Sequence, residues 1–552
     1  MPPSRLSALR RVLSVPRAHE WGLLGLLVFM TDRYRWLMDD AFIYFRYADN
    51  WLFLGRGLVY NRGEYVEGYS SPLWMLLLLP LRALHLDYYL LVRLLAAACA
   101  LGYGAALIWV NRRMSPPGPE GSRLMGATLP MTIGRRRCAA APTINFPLAA
   151  SAAHYGITTH FSSGLETPLV QLLAPIYAAA LLAPQSVRLQ CVVAIAPLIR
   201  AECALLAVLF LPFCILRTRR VPWWFLGVGF AANGGWLLFR VIYYADFLPN
   251  TFYLKDQSQW ALGREYLQNV ADAHHWPSVL AFLAAAVVIG QRELIGRHLG
   301  ARVVMLCASF LYGVYVARIG GDMLYHRYAA LPVCLGLCAS AGVCEAALLQ
   351  LTAAASAERI RAWLAPGLSL LIALGFGLGY PPQLLSHPFW LPEISHKWRA
   401  VADPNWHRRH PSLVYNDARH AEDQWQFELY RRTREDGELP EPPIVVEGFC
   451  RQAYKRFDAQ IVHDYALTDL VLARLPRVFG RPGHKLVQVE AQQVAELRRS
   501  ARRNGGEWYE QPKLPRWVRK NHDELALLEQ KLHNHHHLRE NLRLALTRVR
   551  LR

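Results

Sequence analysis

The chain has 552 residues, 53% of them hydrophobic, and a formal net charge of +20 at pH 7. Its apolar residues form runs that approach or reach the ~20 residues of a membrane-spanning helix, which excludes a single soluble domain. The basic residues lie between these runs and in the tail. This distribution suits a negatively charged membrane surface and phosphate-bearing ligands better than nucleic acid.

Eleven apolar segments are candidate membrane-spanning helices. The N-terminus has a basic stretch, and no small-residue cleavage site follows its apolar run, so we expect an uncleaved first helix that starts in the cytoplasm. An odd number of spans then places the tail outside. The predicted spans are 20–32, 72–86, 88–111, 139–160, 165–183, 187–217, 222–243, 277–291, 303–318, 328–350 and 363–380.

Loop charge agrees with this count in the second half of the chain and conflicts with it in the first. The basic segments 217–220, 291–302 and 358–361 fall inside, as the positive-inside rule requires. Segment 112–138 is also rich in arginine, yet the count places it outside. Either 139–160 does not span the membrane, or 187–217 is two short segments.

Asp39 and Asp40 begin the stretch around which the chain is organised. They follow the first apolar segment directly, in an outer loop (33–71) far longer than two membrane helices need. Ionisable groups at a membrane boundary are functional candidates, so we predict that both acids are catalytic. A solvated amphipathic loop is the alternative. Candidate substrate contacts in the same loop are Tyr44, Arg46 and Glu67.

Four later stretches also place polar groups at a membrane face. Each has a structural alternative, such as a helix cap for SSGLET (162–167), a buried ion pair within LIRAE (198–202) or a plain turn around Pro249. The residues predicted to contact a donor phosphate are Arg200, Lys255 and Arg327. Further predicted substrate contacts are Glu202, Asp246, Asn250, Asp322 and His326.

Carboxylates, cations and aromatic residues at one membrane face suit glycosyl transfer from a polyprenyl-phosphate sugar. The phosphate is the leaving group, and cations stabilise the charge that develops on it. A carboxylate deprotonates the acceptor hydroxyl or stabilises the oxocarbenium-like sugar. Because neighbouring side chains diverge on a helix or strand, we expect unequal roles for the two aspartates, with Asp39 as the base.

The sequence changes character at about residue 386, after which it is charged and has no spanning run. We expect a transmembrane domain over 1–385 and a small α/β domain over 386–552, with a disordered tail as the alternative. Residues 444–446 predict a strand, and 470–475 predict part of a helix. Segment 523–552 predicts one amphipathic basic helix with leucines at 525, 528, 532, 538, 542 and 546.

Several stretches, in order over nearly the whole chain, resemble one known group of enzymes. They are DDAFIYFRYADN, GLVYNRGEYVEGYSSPLW, SGLETPL, LIRAE, DFLPNTFYLK, GGDMLYHRYAALP and, in the tail, YALTDLVLARLP and RPGHK. The chain is similar to the GT-C superfamily of membrane glycosyltransferases. Within it, the chain most resembles the terminal β-arabinofuranosyltransferases of mycobacterial and corynebacterial cell-wall synthesis.

This resemblance implies an α-helical polytopic membrane protein of the GT-C type in a bacterial cytoplasmic membrane, with about 11 transmembrane helices and an extracytoplasmic C-terminal α/β domain. It implies transfer of arabinofuranose from a polyprenyl-phosphate donor to a cell-envelope glycan or protein acceptor. The acid of the first outer loop is the expected base in that superfamily, which carries onto Asp39 or Asp40. Stretch 115–142, rich in Pro, Gly and Arg, departs from the helix pair usual there.

Two other functions stay open on the sequence. A transporter or lipid flippase would line its path with Arg200 and Glu202, but it should show internal repeats, which we do not find. A non-catalytic assembly subunit would use the tail as a partner surface. Adjacent acids can hold a divalent cation, although no full set of ligands accompanies them. The ten cysteines give no metal or disulfide framework.

Overall fold

The structure, a computed structural model, describes most of the membrane part and several pieces of the tail. Among the described residues, five helices are long and apolar enough to cross a membrane: Tyr88–Met114, Ala201–Thr218, Trp223–Tyr244, Leu299–Ile319 and Arg327–Ala347. The chain is therefore a helical polytopic membrane protein. The described residues are 18–115, 145–255, 258–273, 283–289, 298–322, 327–352, 444–446, 461–463, 466–481, 484–487, 491–504, 507–533 and 537–547, with a few isolated positions such as 454.

Helices make up nearly all of the described membrane part. The first group is α1 (Ala18–Arg33), α2 (Ala41–Leu52), α3 (Pro72–Ala83), α4 (Tyr88–Met114), α5 (Phe146–Ala153), α6 (Tyr155–Thr158) and α7 (Thr167–Leu182). The second group is α8 (Val187–Ala194), α9 (Ala196–Ile199), α10 (Ala204–Thr218), α11 (Trp223–Tyr244), α12 (Asn250–Tyr253), α13 (Trp260–Ala273), α14 (Leu299–Ile319), α15 (Ala330–Ala339) and α16 (Val343–Thr352). Short 3-10 turns lie at Thr159–Ser162, Ala201–Cys203 and Arg327–Ala329.

Helices α1 and α4 define the two faces of the membrane part. Near the start of α1, Glu20 pairs with Arg112 in the last turn of α4. Near the end of α1, Asp32 pairs with Arg93, early in α4, at 2.8 Å. The two helices are therefore antiparallel. We call the face at which α1 ends the site face, and the other the opposite face.

Helix α3 does not carry the chain across the membrane, so the predicted span over 72–86 is wrong. The chain leaves α1 and enters α4 at the same face. Arg82 in the last turn of α3 pairs with Asp49 at 2.8 Å, and Tyr88 donates to the same carboxylate at 2.9 Å. These bonds hold α2, α3 and the start of α4 together at the site face.

The segment that begins at Asn145 joins the two faces as a broken helix. At the opposite face, the Asn145 side chain donates to Glu20 at 3.5 Å. The backbone of His154 is extended and separates α5 from α6. At the site face, the indole of Trp36 donates to the carbonyl of Thr159 at 2.9 Å. The prediction of a crossing over 139–160 therefore fits the described part of that segment.

The apolar run 187–217 is two segments that meet at the site face. Arg200 between them is extended, with φ −157° and ψ 141°, and lies 3.6 Å from Glu166 at the start of α7. At the other end of these helices, the Cys214 thiol donates to the carbonyl of Pro184 at 3.4 Å. Helices α8 and α9 thus run towards the site face, and α10 runs back.

These contacts correct the expected position of Arg112, at the start of the arginine-rich segment 112–138, most of which lies outside the described residues. Its flank at Arg112 lies at the opposite face, as does Asn145, where the described chain resumes. The count placed this flank outside because it treated 72–86 as a crossing. The double crossing of 187–217 then restores the parity of the later spans. With the site face outside, Arg112 falls on the cytoplasmic side, as the positive-inside rule requires. The span 363–380 lies almost entirely outside the described residues, so the total of eleven stays a prediction.

The described tail contains two strand pairs and four helices. Strand β1 (Ile444–Val446) pairs in parallel with β2 (Ile461–His463), and β3 (Arg477–Arg481) pairs antiparallel with β4 (His484–Val487). The predicted strand at 444–446 is confirmed, whereas 470–475 contains a 3-10 turn (Leu472–Arg474) in place of an α-helix. The tail helices are α17 (Ala491–Asn504), α18 (Arg516–Lys520), α19 (His522–Leu532) and α20 (Leu538–Leu546).

The predicted single helix over 523–552 is wrong, because α19 ends at Leu532 and α20 begins at Leu538. The leucines divide accordingly. Those at 525, 528 and 532 are buried in the core shared with the first loop, and those at 538, 542 and 546 are exposed.

The tail packs against the loops of the site face. Asn61 exchanges two hydrogen bonds with the backbone of Ile461, at 2.8 and 2.9 Å, and so continues the edge of β2. Asn250 donates to the carbonyls of three tail residues between 466 and 469. Arg474 pairs with Asp246 at 2.5 Å. The proposed domain boundary at 386 lies outside the described residues and stays a prediction.

We expect Arg474→Ala to loosen the docked tail. The substitution leaves Lys531, at 3.7 Å, as the one cation paired with the buried carboxylate of Asp246 among the described residues, which should cost roughly 3 kcal/mol. Thermal unfolding and limited proteolysis of the tail in detergent measure the effect. Arg519→Ala is the matched control, because Arg519 is exposed and has no ion pair within the described tail. Equal melting temperatures for the two variants would contradict the prediction.

We also expect the contact between the tail and the first loop to depend on pH through His533. His533 Nε2 lies 3.2 Å from Glu529, and His533 Nδ1 lies 3.1 Å from the carbonyl of Gly63 in the first loop. The hydrogen bond to Glu529 raises the pKa of His533 above its usual value, despite partial burial. Burial would raise the pKa of Glu529, but the bond from His533 and the charge of Arg498 together lower it.

The His533 contribution to docking is fully present below about pH 6.5 and is lost as pH rises through the raised pKa. At the acidic end of the pH range, Glu529 becomes protonated as the pH falls through its lowered pKa, and this also removes the ion pair with His533. We expect amide exchange at 63–65, corrected for intrinsic rate, to be faster at about pH 8.5 than at about pH 6.5. His533→Gln should abolish this difference and His522→Gln, on an exposed control histidine, should keep it. The same pH dependence in both variants would refute the assignment.

Candidate functional site

The ring of Tyr328 lies at the centre of three cations. Lys255 Nζ donates to the Tyr328 hydroxyl at 2.5 Å and lies 5.2 Å from the ring centroid. The guanidinium carbons of Arg200 and Arg327 lie 4.3 and 5.4 Å from the same centroid. Cations are attracted to the face of an aromatic ring, which offsets part of their mutual repulsion. The three residues predicted to contact a phosphate therefore converge on one side chain.

Breaks and ends of helices bring these residues together. Arg200 occupies the extended break between α9 and α10, Lys255 follows α12, and Arg327 opens the 3-10 turn before α15. The turn after α14 has positive φ at Gly320 and Gly321. A Cβ at Gly321 would lie 2.2 Å from the ring of Tyr266, so the chain needs glycine there.

Carboxylates pair with the two arginines of the cluster. Arg327 Nε donates to Asp322 at 2.8 Å. Arg200 lies 2.6 Å from Glu202 and 3.6 Å from Glu166. Burying an unpaired guanidinium costs several kcal/mol, so these carboxylates let the arginines lie inside the protein. Lys255, by contrast, has no ion pair with any described residue.

Arg200 keeps one donor free of partners among the described residues. Its Nε is buried and makes no hydrogen bond there, and the residue is only 4% exposed to solvent. A buried donor without an acceptor costs about 1–3 kcal/mol. An oxyanion at this position would satisfy the donor, because a guanidinium offers five N–H groups.

Asp39 directly follows Met38, whose side chain contacts Arg327 of this cluster. The Met38 N–H donates to the carbonyl of Ser163 at 3.0 Å, and Arg327 Nη1 lies 3.5 Å from the Met38 sulfur. Asp39 itself is 7% exposed. Asp40 is half-buried at the start of α2, where its side chain makes no capping bond. The two predicted catalytic acids thus have different surroundings.

Glu166 joins the cluster to the first loop, and sequence reasoning left it out of the site. Its second carboxylate oxygen accepts from Tyr44 OH at 3.3 Å, and the Tyr44 oxygen accepts from the Ser71 N–H at 3.0 Å. Glu166 stands at the N-cap of α7 but makes no side-chain cap bond, so the capping alternative for SSGLET does not describe it. The sequence feature that could have identified Glu166 is an acidic residue placed directly before an apolar helix.

Tyr328 was also missed as a site residue. It stands inside the quoted stretch GGDMLYHRYAALP, directly after Arg327. Nothing in that stretch shows that Arg200 and Lys255, more than 70 residues away, pack on its ring. Neighbouring His326 lies outside the described residues.

Four predicted substrate contacts have structural partners elsewhere at the site face. Arg46 is buried and donates to the carbonyl of Tyr60 at 2.8 Å. Glu67 accepts from Trp236 at 3.2 Å and pairs with Arg240. Burial raises the pKa of Glu67 above its usual range, and the charge of Arg240 offsets part of that rise.

The other two, Asp246 and Asn250, bind the tail, as described above for Arg474. The structure therefore brings Tyr44, Glu202 and Asp322 to the cation cluster and leaves Arg46, Glu67, Asp246 and Asn250 outside its contacts. Within the described ranges, no group of three or more His, Cys, Asp or Glu side chains could hold a metal ion.

The described part of the chain thus defines a helical membrane protein with a site of paired charges at its helix ends. The chain is similar to the terminal beta-(1→2)-arabinofuranosyltransferase of Corynebacterium glutamicum, with 27% identity over 335 residues. That match covers 54% of this chain and 46% of the relative, so the chain spans about half the length of the relative it matches. No family profile and no solved structure matches the chain.

The cluster geometry makes a prediction about Tyr328. Tyr328→Phe deletes the bond from Lys255 but keeps the ring, whereas Tyr328→Leu removes both. We expect the free energy of unfolding to fall from the Phe variant to the Leu variant at both Tyr328 and Tyr177. The fall should be larger at Tyr328 by roughly 1–3 kcal/mol, because its ring packs against three cations and that of Tyr177 does not. Tyr177 is buried, and its hydroxyl has no partner among described residues. Thermal unfolding that gives equal Phe–Leu differences at both positions would contradict this.

Proposed function

We propose that the chain is a GT-C-type membrane glycosyltransferase that transfers arabinofuranose from a polyprenyl-phosphate donor. The convergence of Arg200, Lys255 and Arg327 on Tyr328 carries the proposal, because it gathers cations where a membrane lipid can present its phosphate. The similarity to an arabinofuranosyltransferase supports the sugar and the reaction.

Two features favour an anionic ligand over a purely structural charge cluster. Lys255 has a hydroxyl partner but no carboxylate partner in the described part of the chain, so its charge is not neutralised there. Arg200 Nε is a buried donor without an acceptor in the same part. A phosphate oxygen satisfies both groups with charge-assisted hydrogen bonds. Glu202 and Asp322 then hold the two guanidiniums in place.

Asp39 is the proposed base. It is buried, adjacent to Met38 and hence to Arg327, while Asp40 is half-buried at a helix start. Asp39 takes the proton of the acceptor hydroxyl as that oxygen bonds to the anomeric carbon. The bond from the anomeric carbon to the phosphate oxygen breaks, and polyprenyl phosphate leaves with the electron pair. Arg200 and Lys255 stabilise the charge on the leaving phosphate.

The proposed orientation places the site face outside a bacterial cytoplasmic membrane. The arginines at 112 and 113 then face the cytoplasm, which agrees with the positive-inside rule. The tail, which binds the first loop, lies on the same outer side as the cations. A cell-envelope glycan or protein at this face is the proposed acceptor.

We expect Lys255→Gln to weaken binding of polyprenyl phosphate, used alone as the probe. Losing one charge-assisted bond to phosphate should cost roughly ten- to a hundredfold in affinity. Lys520→Gln, on an exposed tail lysine, is the matched control. Native mass spectrometry of the purified protein measures the bound fraction, and unchanged affinity in Lys255→Gln would remove that residue from the phosphate site.

The two aspartates test the chemistry. Asp39→Asn should lower turnover at saturating donor by at least ~10²-fold, while lipid binding persists, because a positioned base contributes this much. Asp40→Asn has the same charge change one position away and should retain most of its turnover. If both variants turn over at nearly the wild-type rate, the acid pair has no part in the reaction. If only Asp40→Asn is inactive, the base is Asp40.

A further inference from the structure

The last described helix, α20, has one face that the protein leaves uncovered. Asn541 and Leu544 are buried against the protein. Leu538, Leu542 and Leu546 are 48%, 42% and 68% exposed. Residues four apart share one face of an α-helix, so the three leucines form a continuous apolar stripe about two turns long.

This stripe lies beside a membrane-spanning helix. Helix α20 packs on α11, and the Asn541 side chain donates to the carbonyl of Ile242 at 2.8 Å, within the last turn of α11. One turn earlier on α11, Leu237 and Leu238 are also exposed. Only 11% of the most apolar 18-residue stretch of α11 is buried inside the protein. The exposed leucines of α20 thus continue the lipid-facing surface of α11 at the site face.

Positive charge accompanies the stripe. Arg539 and Arg543 each follow one of its leucines, are exposed and make no ion pair with described residues. Arginines at one turn's spacing beside an apolar stripe are typical of a helix that lies in the plane of a membrane interface and binds anionic lipid. The three leucines of α19, by contrast, are buried in the tail core and have no such surface.

We propose that α20 is an interfacial anchor that binds the tail to the anionic lipid leaflet at the site face. Its leucines insert between the acyl chains, and Arg539 and Arg543 contact lipid phosphates. Because Asn541 ties α20 to α11, insertion also fixes the tail over the end of that helix. This inference rests on the exposure, position and charge of α20 and does not depend on the proposed reaction.

Photo-crosslinking of the full-length protein in phosphatidylglycerol nanodiscs tests the anchor. Benzoylphenylalanine at position 542 should give lipid adducts in at least roughly fivefold higher yield than at position 540, an exposed polar position on the same helix. The yield at 542 should fall in phosphatidylcholine nanodiscs, and also in the Arg539→Gln/Arg543→Gln variant.

Unchanged amide exchange in α19 verifies that each variant is folded. Equal lipid yields at 540 and 542, or adducts at 542 to a second copy of the protein, would overturn the anchor. Equal yields in phosphatidylglycerol and phosphatidylcholine would overturn the role of the arginines. Replacing the three exposed leucines with glutamine should also speed amide exchange across α20 by roughly tenfold or more in phosphatidylglycerol nanodiscs, and no change would count against insertion.

Discussion

Three cations share the ring of Tyr328, and much of the site face is arranged so that they can lie together. Buried guanidiniums need carboxylates, which α7, the break before α10 and the turn after α14 supply. Each of those acids lies at the end of a helix. The breaks in the helices are therefore what allows charge to be concentrated at one face of a largely apolar protein.

The tail contributes to this arrangement at a distance. Asp246 and Asn250, at either end of the turn that leads into α12, bind Arg474 and the backbone after β2. Lys255 follows α12 by two residues. Holding both ends of that turn fixes where the lysine emerges, so the docked tail helps to position a cation of the site through the turn before α12. Loosening the tail should therefore weaken ligand binding as well as stability.

Much of the site could be predicted from sequence because its residues are charged or polar groups in otherwise apolar surroundings. The length of the apolar run over 72–86 could not show that the chain stays at one face through α3. That course is visible from the ion pairs that Asp32 and Glu20 make with the two ends of α4. The break at Arg200 had a signal, a charge within a long apolar run. The divided leucine series of 525–546 had none, because buried and exposed leucines repeat with the same spacing.

Transfer of labelled sugar by the purified protein distinguishes a lipid-dependent glycosyltransferase from a transporter or a nucleotide-dependent enzyme. The assay compares radiolabelled arabinofuranose on a polyprenyl phosphate with the same sugar on a nucleotide, each offered with an arabinan acceptor. We expect incorporation from the lipid donor, none from the nucleotide donor, and loss of incorporation in a Lys255→Gln/Arg327→Gln variant. Incorporation from the nucleotide donor alone, or movement of intact lipid-linked sugar across a bilayer without transfer, would contradict it.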